Sequence, residues 1–165
     1  LILGLVSIVY SVLTYMLDLT FKQWIMWPSL LVSLVVLFLL LRSYRDHVEN
    51  GFISYGKSVA AGFIMNLYAT ILTVIYIYLL YSVIDPGLVD KQMAFAEQKM
   101  IAKGVPEGAI DGALEMSAKF MKPWITALST MLGSLFFGLI LSLIVSIFVK
   151  KEGNPLLEVE NQVKE

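Results

Sequence analysis

The chain has 165 residues, 58% of them hydrophobic and only 15% charged, with 12 Lys and Arg against 13 Asp and Glu for a net charge of −1. Soluble domains carry about 25% charged residues, so this composition, with a mean hydropathy of +0.79, excludes an ordinary soluble globule and indicates an integral membrane protein. The near-neutral charge offers no electrostatic footprint for nucleic acid, and the lack of Cys excludes disulfides, thiolate catalysis and thiolate metal sites.

The charged residues avoid 1–17, 23–41, 58–84 and 123–149, and a helix needs about 20 apolar residues (17–25) to cross a bilayer. The expected fold class is therefore an all-α integral membrane protein, one domain over 1–165. Its spans are placed near 1–17, 25–41, 58–84 and 124–149, with an extramembrane helical hairpin at 85–122 and a cytoplasmic tail at 150–165. The chain opens inside an apolar run without a Met, so a short start is expected before Leu1. Gly4, Ser7, Ser11 and Thr14 form a stripe suited to packing, unlike a signal peptide to be cleaved.

Asp18 and Lys22 bound a turn short enough to return the second span antiparallel to the first. A polar segment from Arg42 follows, in which Asn50-Gly51 reads as a turn, and Phe52 to Lys57 is expected along the interface. Segment 85–122 reads as two helices. Asp85-Pro86 looks like a cap with Pro at the first helical position, Asp90 lies early and Lys99 and Lys103 late. Pro106, Glu107 and Asp111 then precede Glu115, Lys119 and Lys122. Acid first and base last, twice over, matches two helix dipoles. Each of the two helices carries an apolar stripe, Val89, Met93, Ala96 and Met100 on one and Ile110, Leu114, Ser117 and Met121 on the other.

Lys and Arg in short loops set membrane orientation. Arg42, Arg45, Lys57, Lys150 and Lys151 share one side of a four-span chain, and Lys22 alone holds the short turn on the other. Both termini are therefore expected in the cytoplasm and 85–122 outside, with Trp24, Trp27 and Trp124 in the outer aromatic belt. A weak internal repeat agrees with this arrangement: Leu13-Thr-Tyr-Met-Leu-Asp18 ends the first span and Leu80-Tyr-Ser-Val-Ile-Asp85 the third.

Small residues stand at every fourth position of the last span, Thr130, Ser134, Gly138, Ser142 and Ser146, and again in the third as Ser58, Gly62, Asn66 and Thr70, then Thr73. This spacing lets backbones approach closely where lipid provides no hydrophobic drive, so these faces are expected to pack on each other with a right-handed crossing. Asn66 is the most polar side chain in any span; interhelical glue is its commoner role and a substrate or ion contact the alternative. No Asp, Glu, Lys, Arg or His sits at membrane depth, which argues against an ion-coupled transporter.

Asp46, His47 and Glu49 make a poor metal site, since tight sites need three or four converging ligands. A Ser nucleophile would need a His base, and the single His lies on a flank. No catalytic, cofactor or metal residue is therefore assigned, and no enzyme activity is expected. Arg42 and Arg45 are assigned to inner-leaflet headgroups. Met93 and Met100, with Met116 and Met121, offer an adaptable surface for a partner; Cu(I) binding is the rarer use of such thioethers. The partners expected are membrane lipids and other membrane subunits or a second copy, with no nucleic acid. The leading function is an accessory or scaffold subunit, and the alternative a small oligomeric transporter or channel.

Gly4-Leu-Val-Ser-Ile-Val-Tyr-Ser11, Tyr44-Arg45-Asp46 with Gly51-Phe-Ile-Ser-Tyr-Gly56, Ile84-Asp85-Pro86, Leu114-Glu115-Met-Ser117 and Gly133-Ser-Leu-Phe-Phe-Gly138 together resemble the domain of unknown function 4199 family. The resemblance covers nearly the whole chain. It implies a four-helix fold in a Gram-negative inner membrane of Bacteroidota, with 85–122 in the periplasm, and it implies no activity and no catalytic residue.

Overall fold

The computed structural model describes residues 1–20 and 22–152, so the tail beyond Glu152 lies outside the described residues. Among the described residues the chain is all-helical. α1 is Ile2–Met16, α2 Met26–His47, α3 Tyr55–Leu79, α4 Leu88–Ala102, α5 Glu107–Phe120 and α6 Pro123–Val149. A short 3-10 turn, Gln23–Ile25, leads into α2, and a π-turn, Leu80–Ile84, ends α3. Three helices are long and apolar enough to cross a membrane: Met26–His47, Tyr55–Ile84 and Pro123–Val149. At 1.5 Å per residue the 15-residue α1 is about 22 Å long, short of the ~30 Å of a bilayer's hydrocarbon core.

Boundaries follow local chemistry. Pro123 occupies the start of α6, where its missing N–H costs nothing. The Asn50-Gly51 turn forms with positive φ at both residues, 51° and 86°, as Gly and Asn tolerate best. α2 runs on through Arg42 to His47, beyond the span expected to end at Leu41; Arg42 and Arg45 are good helix formers. Asp85-Pro86 does not begin α4; its N-cap is Gly87, and Asp85 instead accepts the Leu88 N–H through its backbone oxygen.

α3 is the hub: α6 packs along it most extensively, and α1 lies beside it. A Cβ on Gly4 would sit 3.0 Å from the Ala69 Cα, and Tyr15 reaches Asp85, so α1 accompanies the C-terminal half of α3. α2 closes the bundle against α6. The core has its centre toward the opposite end, where Leu37, Leu41, Ile53, Val145 and Val149 are buried. Within the segment expected along the interface, Ile53 turns inward and is 2% exposed. It exchanges backbone hydrogen bonds with Lys151 at 2.9 and 3.0 Å and buries its side chain, tying the α2–α3 connection to the end of α6. Each pairing satisfies backbone groups that would be costly beside lipid.

Candidate functional site

Asn66 lies at the centre of the α3–α6 contact and is 9% exposed. The two N–H groups of its Nδ2 are shared among three acceptors, Gly62 O at 2.9 Å, Ser142 Oγ at 3.2 Å and Gly138 O at 3.3 Å. Two of these acceptors are carbonyl oxygens, which dictates that the amide nitrogen faces them and leaves Oδ1 on the other side. Ser142 donates onward to Gly138 O at 2.7 Å. The glycines make the approach possible: an added Cβ at Gly62 would lie 2.9 Å from Ser142 Oγ, and one at Gly138 would lie 2.8 Å from Asn66 Cβ. Both helices are thus joined at one polar node, in which Ser142 is fully buried, as are Ser58 and Ser146 beyond it.

Toward the α4–α5 end the same two faces separate. Thr70, Thr73 and Ser134, with Ser7 of α1, Ser33 of α2 and the exposed edge of Asn66, line a cavity of about 180 Å³. A larger one of about 620 Å³ continues past Ser7 and Thr73 between Tyr10, Ser11, Thr14 and Ser29 to Thr20, Lys22 and Lys99. On the far side of Asn66 the bundle is sealed, with Leu37 and Leu41 wholly buried. The packed core around Leu37 and Leu41 thus bounds the bundle on that side of Asn66.

The sequence-assigned residues fall into distinct places. Gly62, Asn66, Gly138, Ser142 and Ser146 are buried in the contact, Thr70 is buried at the recess, and Ser134 and Thr130 are half-buried. Arg45 is only 16% exposed in its side chain. It donates to Val149 O at 3.1 Å and to Asp46 at 2.7 Å, so it caps the C-terminus of α6, where a cation meets the negative end of the helix dipole. Arg42 is 60% exposed. Met93 and Met100 are half-buried, whereas Met116 is exposed. Glu49 is held by Lys57 at 3.0 Å and His47 by the Ser43 carbonyl at 3.0 Å, and no group of three metal-ligating side chains exists among the described residues.

At the α4–α5 end a latch joins α1 to α3. Asp85 Oδ2 accepts from Tyr15 at 2.9 Å and from Lys91 at 2.9 Å. The Lys91 ammonium and then the Tyr15 hydroxyl hold the Asp85 carboxyl below the usual carboxylate range, and Asp85 raises Lys91 in turn. Sequence reading missed this latch, the Arg45 cap and the converging hydroxyls of α1 and α2. The only signal for the last was a Ser or Thr every few residues in uncharged runs, which by itself reads as packing.

Three long apolar helices around a small-residue contact define the class: an α-helical integral membrane protein. Within that class the chain belongs to the family described as Protein of unknown function (DUF4199), whose model matches residues 1–151. No curated protein and no solved structure matches it.

Proposed function

We propose that the protein is a non-enzymatic accessory or scaffold subunit of a bacterial inner membrane, with α1 as its fourth span, both termini cytoplasmic and α4 and α5 forming a periplasmic hairpin for a partner subunit. The observation that carries this reading is the way α4 and α5 pack. They contact each other far more than they contact the bundle, and they leave Ile101, Met116 and Phe120 exposed. Exposed apolar groups of this size on a polar segment favour a protein or lipid contact. The small-residue faces hold the scaffold rigid from within, and Arg42 meets anionic headgroups at the opposite end. The sole His is engaged by Ser43 far from the recess, which supports a role without acid–base chemistry.

The test is to extract tagged full-length protein from its native membrane in mild detergent, measure the particle mass and identify what accompanies it. Reproducible foreign subunits, lost on Met116→Ser with Phe120→Ser, are expected. A bare monomer or symmetric homo-oligomer would overturn the reading. Asn66→Leu separates the rival class: a scaffold still assembles, whereas a conduit through a polar path loses flux.

A further inference from the structure

α3 does not end as an ordinary helix. Leu80–Ile84 form a π-turn, in which the Asp85 N–H reaches back five residues to Leu80 O at 2.9 Å instead of four. Such a turn holds one residue more than the α-helix before it, and single π-turns of this kind are frequent at functional sites. No Pro or Gly lies within it. Pro86 requires only that the helix stop at Asp85, which an α-turn would satisfy as well.

What the extra residue sets is the register of everything that follows. One residue is about 100° of arc in an α-helix, so the turn decides which side chain faces α1 and α4. That side chain is Asp85. It accepts from Tyr15 of α1 and from Lys91 of α4, both at 2.9 Å, and is only 17% exposed. Its backbone oxygen takes the Leu88 N–H at 3.0 Å, and Leu88 is buried. Within the turn, Tyr81 donates to Gln92 Oε1 of α4 at 3.2 Å. These ties dock α4, since α4 and α5 otherwise pack mainly on each other. The two residues before Asp85 are apolar and face outward, Val83 at 70% and Ile84 at 57% exposure. If the turn closed to an α-turn, Ile84 would move into the place of Asp85 and offer Tyr15 and Lys91 no acceptor. Each form gives the Asp85 N–H a carbonyl partner, so the two differ chiefly in their side-chain ties, as the states of a two-position element do.

We infer that Leu80–Ile84 is a register switch for the α4–α5 hairpin: the π form presents Asp85 to Tyr15 and Lys91 and docks the hairpin, and the α form withdraws Asp85 and releases it. The inference concerns how the hairpin is held and not what binds to it, so it stands or falls separately from the scaffold reading.

The test uses full-length protein in nanodiscs. The chain has no Cys, so Leu132→Cys on α6 and Gln98→Cys on α4, both at exposed positions, carry the only two spin labels, and pulsed electron resonance reads their separation. The otherwise native chain is expected to give one narrow distance. Asp85→Asn, which removes the charge that holds Lys91, is expected to raise the population of a second, broader distance about tenfold. Deleting Val83 from that variant is the deciding step. An α-turn then brings residue 85 to its docked place, with no extra residue left to slip, and the narrow distance returns. A hairpin that stays released after the deletion would overturn the inference, because the ties alone would be holding it. Asp85→Asn with an unchanged narrow distance would overturn it too. One Ala inserted after Val83 in the native chain covers a deletion that disturbs folding. It displaces Asp85 with its charge intact and is expected to release the hairpin, and an undisturbed distance there would overturn the register as the cause.

Discussion

Replacing Gly138 by Ala tests whether the α3–α6 contact is as close as its geometry requires. The added Cβ would lie 2.8 Å from Asn66 Cβ and 3.0 Å from Asn66 Cγ, where carbon atoms prefer about 3.5–4.0 Å. Both neighbours belong to a short side chain whose amide N–H groups are both engaged, so relief requires α3 and α6 to part by about 1 Å or Asn66 to leave its bonds. Overpacking of this kind costs about 1–3 kcal/mol, and each interhelical bond lost adds about 0.6 kcal/mol in a membrane protein. The expected loss is therefore about 2–4 kcal/mol. Gly133→Ala is the internal control, because a Cβ there meets nothing within 4 Å and Ala favours a helix interior by up to about 1 kcal/mol. Equilibrium unfolding in mixed micelles, followed by tryptophan fluorescence, measures both. The reasoning fails if Gly138→Ala stays within about 0.5 kcal/mol of wild type, or if Gly133→Ala is equally damaging.

Arg45→Gln removes a charged cap from Val149 O, and a loss of about 0.5–2 kcal/mol is expected, with faster amide exchange confined to the last turn of α6 and the Ile53–Lys151 pairing. Uniform exchange across α6 would count against the cap. The latch at Asp85 has a defined pH window. A depressed carboxyl stabilises the fold fully above its ordinary pKa, about 3.9, and the stabilisation fades as pH falls through the lower native value. The raised Lys91 contributes below its ordinary value, about 10.4, and ceases only as pH rises through a higher one. Distances between spin labels on α1 and α4 should thus stay constant through neutral pH and spread only in acid or strong alkali. A transition between about pH 5 and 8, the range in which histidine titrates, would refute the assignment.

The sequence by itself determined the environment, the helical class and the places where two helices approach. These are local or periodic properties: an uncharged run of span length has only a helix available to it in lipid, and a small residue every fourth position describes one face of that helix. The Asn50-Gly51 turn and the start of α6 at Pro123 were legible for the same reason, since backbone preference is carried by the residue itself. What the tertiary structure decided is where those faces lead. The stripe on α6 reads as one uniform surface, yet Gly138, Ser142 and Ser146 are buried against α3 while Ser134 borders a recess. That division depends on how the two helices are placed relative to each other and to α1 and α2, which contribute Ser7 and Ser33 to the same cavity, and not on the spacing of small residues. Arg45 read as a headgroup contact, and its bond to Val149 O, 104 residues away in sequence, adds a helix-capping role that no local pattern announces. The partners of Asp85 and Ile53 are likewise distant in the chain. A side chain's chemistry is legible in the sequence, whereas its partner depends on which segments the fold brings within hydrogen-bonding range.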